Sequence, residues 1–287
     1  MSIHYDTLKN WPVPVIEQTY RAADTIIYNL SVGYGQDPMD LAQLPFVYEN
    51  GLSASPTMAS VLAAPGFWLM DPGTGIDWKH VVHGQAGFVI HQTLPSAGRM
   101  IGTTVVDEIY DKGAGVGALL EVHRDIRNAA DNALIATVYG SLFCRADGGF
   151  GGKRGITEPM RPVPTRAPDA IFEHRTLPQQ ALLYRLNGDF NPLHIDPRVA
   201  EKAGFKQPIL HGLCMQGIVG HALLRLTCDY QSQRLRELFT RFISPTYPGE
   251  AVRVEVWSEP EGRLQFRALA VERNAVLVNG HARIDLS

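Results

Sequence analysis

The sequence predicts an α+β protein made of two copies of one unit, in which a helix is followed by an antiparallel meander of strands. Segments rich in Val, Ile, Thr and Tyr occur in two blocks, at residues 83–145 and 238–284. Before each block, a helical apolar pattern is broken by Gly or Asn and then by an Asp-Pro pair. The two helical patterns match at an offset of 156 residues: Ile27, Tyr28 and Leu30 correspond to Leu183, Tyr184 and Leu186. Matching order at a fixed offset indicates an internal repeat.

The composition is that of an ordinary globular protein, with 45% hydrophobic and 19% charged residues among 287. A formal net charge of −3 gives no reason to expect nucleic acid or an anionic membrane as a partner. No apolar run reaches the roughly 18 residues of a spanning helix. The first ten residues lack a signal-peptide pattern and the last three are not Ser-Lys-Leu. We therefore expect a cytoplasmic protein.

The first unit begins with an extended segment at residues 1–20 and an amphipathic helix at residues 22–30. Residues 33–75 are rich in Gly and Pro and allow only short helices, at 39–44 and 57–63. Such a long irregular stretch in a compact domain indicates a functional surface. Strands are predicted at residues 83–92, 99–110, 118–128 and 133–145. The short turns between them imply antiparallel neighbours.

The second unit follows a segment of many glycines and prolines at residues 147–169, which is typical of a linker. Asp196 and Pro197 suit the cap and first turn of a helix at 198–203 that ends at Gly204. Residues 212–226 are apolar nearly all round, which predicts a buried helix wrapped by a sheet. Strands are predicted at residues 238–244, 251–257, 263–272 and 276–284. We predict one unit at 1–150, a linker at 151–170 and a second unit at 171–287.

The candidate chemistry lies between Tyr184 and Gly212, where Asp189, Asn191 and His194 stand within six positions on irregular backbone. Catalytic groups are often held on such segments between rigid elements. Asp189 beside a glycine is also a common turn residue. His194, Asp196 and His211 could together ligate a metal. The three cysteines and the histidines around His83 have no metal-ligand spacing. At His194, Asp196 and His211 we expect no metal because of the family resemblance described next.

The segment closely resembles the signature of the (R)-specific enoyl-CoA hydratases, also called hydratase 2, in the MaoC-like dehydratase family. The matching residues are Tyr184, Leu186, Gly188, Asp189, Asn191, Pro192, Leu193, His194 and Ala200. The resemblance extends to the Asp-Pro pair at 37–38, residues 46–49, 83–84 and 111–113, the glycines of 148–152, and residues 208–212. Asn187 departs from the family, which more often has a small residue there.

This resemblance implies a double hot-dog fold, in which two long helices are each wrapped in an antiparallel sheet. It also implies reversible hydration of trans-2-enoyl-CoA to (R)-3-hydroxyacyl-CoA. No cofactor is implied, since coenzyme A belongs to the substrate. A homodimer is expected from the family and from the need to cover exposed sheet edges.

The resemblance assigns site residues by position. Asp189 and His194 are the expected catalytic pair, which grips one water, and the sequence leaves open which of them is the base. Asn191 is expected to orient the water or Asp189. The N–H of Gly212, at the start of the buried helix, is expected to serve the developing oxyanion. His83, Gly84, Lys112 and Phe242 are expected to line the CoA-ester site, although Lys112 could simply cap a turn.

The first unit is expected to lack the acid–base pair, because Gly33 stands where Asp189 stands in the second unit. The resemblance also implies that the central helix of this unit is reduced, which leaves room for a long or bulky acyl chain. Two alternative functions remain. A hot-dog acyl-CoA thioesterase needs a carboxylate on the central helix, and residues 213–226 contain none. A non-catalytic acyl-CoA-binding subunit would not need Asp189 and His194.

Overall fold

The computed structural model describes residues 3–155 and 161–286, and in them ten strands form one antiparallel sheet in the order β1-β3-β4-β5-β2-β7-β10-β9-β8-β6. The strands are β1 Ile16–Tyr20, β2 Val81–Ile90, β3 Gly98–Asp111, β4 Ala118–Asn128, β5 Leu134–Cys144, β6 Ala170–Arg175, β7 Leu235–Phe242, β8 Ala251–Ser258, β9 Arg263–Ala270 and β10 Ala275–Ile284. The α-helices are α1 Tyr5–Lys9, α2 Ala22–Ser31, α3 Leu44–Val47, α4 Gln180–Tyr184, α5 Pro197–Lys202 and α6 Gly212–Thr227.

The two halves of the sheet come from the two halves of the chain and meet where β2 pairs with β7. At this seam Gly87 faces Phe239, and a Cβ added at Gly87 would lie 2.2 Å from the Phe239 ring. Because Gly87 has no side chain, the Phe239 ring can pack over it where the two halves of the sheet meet. The repeat of helix and meander predicted from the sequence, and the double hot-dog fold, are confirmed.

Helix α6 is the core of the molecule, with eleven of its residues buried. Gly217 and Gly220 let two first-unit residues approach its backbone. A Cβ at Gly217 would lie 2.3 Å from Val32, and one at Gly220 would lie 2.3 Å from Thr57. The helix is thus enclosed by the sheet and by the first unit. This agrees with its sequence, which has apolar residues on nearly all sides of the helix.

The first unit has no equivalent of α6 among the described residues, so the expectation of two long helices is wrong. At an offset of 156 residues from α6, residues 56–71 contain two short 3-10 helices, Pro56–Ser60 and Trp68–Met70. The helix predicted at 57–63 does not continue, because Ala63 adopts a left-handed φ of 46°. Helix α6 packs against the 3-10 helix Pro56–Ser60.

Local predictions succeeded for the meander strands and for α5, whose cap Asp196 accepts a hydrogen bond from the Arg198 N–H. Four elements differ from the prediction. The first 20 residues contain α1 and β1, β6 was missed, and turns occupy most of residues 39–44 before α3. β1 and β6 are the edge strands of the sheet, and each is short. Short edge strands carry too little apolar pattern to be found from sequence.

The predicted linker at 151–170 is ordered where it begins. The carboxylate of Asp111 accepts hydrogen bonds from the N–H groups of Gly113, Gly149 and Gly151, at 2.7 to 2.8 Å. Residues 156–160 of the linker lie outside the described residues. The unit boundaries at 150 and 170 therefore stay a prediction. Within 3–155 and 161–286, no helix has the length and apolar character needed to cross a membrane.

We predict that Gly217→Ala destabilises the fold by about 1–3 kcal/mol, because the new methyl group meets the stiff Val32 side chain. Val32→Ala should relieve this clash. In a urea-unfolding cycle, the double variant should lose less free energy of unfolding than the two single variants lose together. Strict additivity would show that the close contact between Gly217 and Val32 carries no energetic coupling.

Candidate active site

The backbone between α4 and α5 positions the predicted catalytic pair. Gly188, with a left-handed φ of 106°, ends the helical turn that follows α4. The Oδ1 atom of Asn191 then accepts the Leu193 N–H and caps a short 3-10 helix, Pro192–His194. The Asn191 N–H itself donates to the Asp189 carboxylate at 3.2 Å. Asn191 thus orients Asp189 through its backbone, while its side chain holds the turn that carries His194.

Asp189, His194 and His211 converge at one place. Each offers one ligand atom, a carboxylate oxygen or a ring nitrogen, and these atoms lie within 4.8 Å of one another. One water with two hydrogen bonds of about 2.8 Å can bridge groups at this spacing. The structure therefore brings the predicted acid and imidazole together and adds a second imidazole.

His194 is held in one tautomer by its backbone partner. Its Nδ1 lies 2.8 Å from the carbonyl oxygen of Ile209. A carbonyl oxygen only accepts, so Nδ1 carries the proton, and Nε2 of the neutral ring presents its lone pair. Burial lowers the pKa of His194 below its ordinary 6.5. The ring is accordingly a neutral proton acceptor at neutral pH.

His211 lies directly behind His194. The two rings stack with centroids 3.7 Å apart and planes inclined by 28°. The Nε2 of His211 lies 3.3 Å from the Asp189 carbonyl oxygen, so it is the donor of that contact. Burial, assisted by the charge of a protonated His194, lowers the pKa of His211 to about 4. His211 is therefore also neutral at pH 7.

Gly212 begins α6 next to this cluster, and its N–H makes no hydrogen bond to another residue of the described part of the chain. A Cβ at Gly212 would lie 3.1 Å from the Phe242 ring, so Phe242 covers this helix end. The Phe242 ring lies 5.3 Å from His83. The positive end of the helix dipole and an available donor thus lie beside the acid–base pair.

His83 is the residue of the first unit that comes nearest to this chemistry. Its Nε2 is buried without a hydrogen-bond partner among the described residues, and burial lowers its pKa to about 4. The Asp189 carboxylate acts in the opposite direction on the pKa of His83. Gly84 lies at the bulge that separates His83 from Gln85 in β2. His83, Gly84 and Phe242 therefore belong to the surroundings of the pair.

Lys112 lies elsewhere, at the end of β3. Its Nζ donates to the carbonyl oxygen of Gly155 at 2.6 Å and lies 5.6 Å from the Tyr110 ring. Lys112 thus ties the turn after β3 to the segment after the glycine-rich loop. A contact of Lys112 with coenzyme A stays a prediction.

The geometry of the three-residue cluster suits proton transfer better than metal binding. A zinc ion needs ligand lone pairs that converge on it at about 2.0–2.1 Å. The lone pairs of His194 and His211 lie in two nearly parallel stacked rings, so they do not converge. Asp196, considered as a third ligand from the sequence, instead pairs with Arg198 at 2.7 Å. The acid–base role of this cluster stays a prediction at this point, and so does the absence of a metal.

Sequence reasoning missed two contributors to this site. The sequence presents His211 only as a possible metal ligand or as a structural histidine near the helix start, and nothing in it points to Ile209. No sequence pattern marks a backbone carbonyl as a partner of a histidine 15 positions away. His211 could have been found from its position immediately before Gly212.

The central helix is buried against an antiparallel sheet, and a carboxylate and an imidazole lie near its N-terminus. This arrangement is that of a hot-dog enzyme of the hydratase or dehydratase class. Two family profiles match the chain. The profile described as MFE-2 hydratase 2 N-terminal domain covers residues 18–146. The profile described as MaoC like domain covers residues 157–279.

Proteins with established names match over nearly the whole chain. An enoyl-CoA hydratase of Mycobacterium tuberculosis is 35% identical over 98% of this chain and 98% of its own length. The peroxisomal multifunctional enzyme type 2 of Mus musculus is 35% identical over 96% of this chain, which spans only 37% of the mouse protein. The crystal structure of a MaoC-like dehydratase from Phytophthora capsici superposes with a TM-score of 0.86 at 33% identity, covering 98% of this chain and 99% of that one. The chain belongs to the hydratase 2 group of the MaoC-like dehydratase family.

We predict that His194 carries its proton on Nδ1 and none on Nε2 at pH 7, because Ile209 offers only an acceptor. Nitrogen-15 NMR of histidine-labelled protein distinguishes the two tautomers, and His194→Gln identifies the signal. Titration should place the pKa of His194 below 6.5. A proton on Nε2 at pH 7 would contradict the assignment of His194 as a proton acceptor.

Proposed function

We propose that the protein catalyses the reversible hydration of trans-2-enoyl-CoA to (R)-3-hydroxyacyl-CoA. The observation that carries this proposal is the spacing of Asp189 and His194, at or below 4.8 Å, beside the N-terminus of α6. Hydration of a conjugated thioester needs a base for water at C3, a proton for C2 and donors for the enolate oxygen. These three requirements match the groups at the site.

In the proposed hydration step, the lone pair on Nε2 of His194 takes one proton from water as the water oxygen bonds to C3. The electron pair of the C2–C3 double bond moves towards the thioester carbonyl, which becomes enolate-like. The imidazolium of His194 then returns the proton to C2 as the carbonyl re-forms. Asp189 holds the second O–H of the water and offsets the positive charge on His194. The reverse sequence is dehydration.

The Gly212 N–H is the proposed donor to the enolate oxygen. It lies at the positive end of a 16-residue helix, where a developing negative charge is stabilised. Phe242 packs against Gly212 and limits the access of water there. The buried Nε2 of His83, which lacks a partner in the described protein, is proposed to gain one from the bound thioester.

The first unit is proposed to accommodate the acyl chain rather than to act as a second catalytic site. A Cβ at Gly33 would lie 2.2 Å from the His174 ring, so that ring fills the position corresponding to Asp189. Pro56, which corresponds to Gly212 at the 156-residue offset, has no N–H to donate. The first unit therefore has neither the carboxylate nor the helix-start donor.

Three further expectations accompany this function. The reaction is proposed to need no cofactor, since coenzyme A is part of the substrate. A homodimer is proposed because β1 and β6 leave two open sheet edges, and light scattering that gives a monomer mass would contradict it. A cytoplasmic location is also proposed. A fluorescent fusion that collects in an organelle would contradict it, and the mouse relative is named peroxisomal.

The alternative of a thioesterase, which attacks the carbonyl carbon, is less well supported. Hot-dog thioesterases usually use a carboxylate on the central helix. None of the 16 residues of α6 is Asp or Glu. A non-catalytic acyl-CoA-binding subunit would not need Asp189 and His194 at a spacing that one water can bridge.

We predict that Asp189→Asn and His194→Gln each lower kcat for crotonyl-CoA hydration by about 10²–10⁴-fold, because each removes one partner of the reacting water. Disappearance of the enoyl thioester measures hydration, and a thiol reagent measures any free CoA. The matched control is Asp196→Asn, which keeps the cap of α5 and lies outside the cluster. That variant should keep normal activity.

Circular dichroism and thermal unfolding should show intact folds for all three variants. Near-normal hydration by folded Asp189→Asn or His194→Gln protein would contradict the assigned roles. Release of CoA thiol by the unaltered enzyme, without hydration, would instead favour the thioesterase.

A further inference from the structure

His211 touches each part of the acid–base site, yet the proposed reaction assigns it no proton. Its side chain is only 1% exposed. It stacks on His194, hydrogen-bonds the backbone of Asp189 and immediately precedes Gly212. A residue used only for core packing would not need three such contacts.

The stacking contact fixes the plane of His194. Ile209 holds one edge of the His194 ring through Nδ1. A single hydrogen bond allows the ring to rotate about that bond, and the flat face of His211 at 3.7 Å prevents this rotation. When His194 gains a proton, the adjacent neutral ring also offers a favourable face to the cation.

The hydrogen bond fixes Asp189. The Nε2–H of His211 donates to the carbonyl oxygen of Asp189, and the Asn191 N–H orients its carboxylate. The segment from Gly188 to Asn191 is otherwise in contact with solvent, so few other contacts restrain it. His211 therefore links the exposed acid to the buried start of α6.

Four groups determine the electrostatic surroundings of His211. His194 and Arg185 disfavour a second positive charge there, whereas Asp189 favours one. Tyr184 covers the remaining side, with its ring centroid 5.0 Å away, and its burial raises its pKa so that it stays neutral. Burial is the largest influence on His211 and keeps its ring uncharged.

We propose that His211 is a positioning residue of this active site. It holds the ring of His194 and the backbone of Asp189 so that both side chains can bind the same water. This role rests on the proposed hydratase function. It requires a flat neutral ring and one N–H donor at position 211. The two features can be removed separately.

The test compares His211→Phe, which keeps a flat ring without the donor, with His211→Ala, which removes both. We expect kcat for crotonyl-CoA to fall in both variants, on the order of 100-fold for His211→Ala and less for His211→Phe. KM should change little, because His211 does not reach the CoA moiety in the proposed arrangement.

The pH profile provides a readout that a purely structural role would not change. In His211→Ala, water reaches the His194 ring, so the pKa of His194 rises towards 6.5. A base with a higher pKa loses its neutral form at higher pH. The acid limb of kcat/KM should therefore move to higher pH in His211→Ala and stay unchanged in His211→Phe.

His221→Phe is the matched control. His221 is also 1% exposed, lies on α6 and stacks on an aromatic ring, that of Tyr34 at 3.9 Å. It should leave kcat and the pH profile unchanged. If His211→Ala does not fold, the kcat of His211→Phe decides, with its fold checked by circular dichroism.

Folded His211 variants with the kcat and pH profile of His221→Phe would overturn the positioning role alone. A fall in stability with unchanged kcat would overturn it as well. An unaltered enzyme that hydrates no enoyl-CoA would overturn the proposed function and this role with it.

Discussion

The hydrogen bond between Nδ1 of His194 and the carbonyl oxygen of Ile209 is the interaction on which the rest of the site depends. It determines which nitrogen carries the proton and turns the other towards Asp189. The bond connects the loop that carries the acid to the segment that leads into α6. Fold and site are therefore coupled, because the backbone segment that leads into the central helix also sets the tautomer of His194.

The double architecture brings residues of both units around Asp189 and His194. Two units complete one sheet and share one long helix, and the glycines of α6 let the first unit approach closely. The first unit has a 3-10 helix at Pro56–Ser60 and Gly33 at the positions that correspond to the start of α6 and to Asp189. It still contributes His83 to the surroundings of the second unit's pair.

Much of the fold could be predicted from the sequence, because long strands and a fully apolar helix carry strong periodic patterns. The short edge strands and the first unit's 3-10 helix could not, since tertiary packing determines them. At the site, Asp189 and His194 could be named because the segment around them resembles the hydratase 2 signature. The stack of His211 on His194 and the role of Ile209 could not, because they join residues 15 or more positions apart through the fold.

The central claim is that Asp189 and His194 hold one water against one face of the alkene, so that both new bonds form on that face. The most direct measurement is hydration of crotonyl-CoA in D₂O, followed by NMR of the 3-hydroxybutyryl product. We expect the R configuration at C3, with deuterium at C2 added syn to the new hydroxyl group. An S product, or deuterium added anti, would contradict the claim.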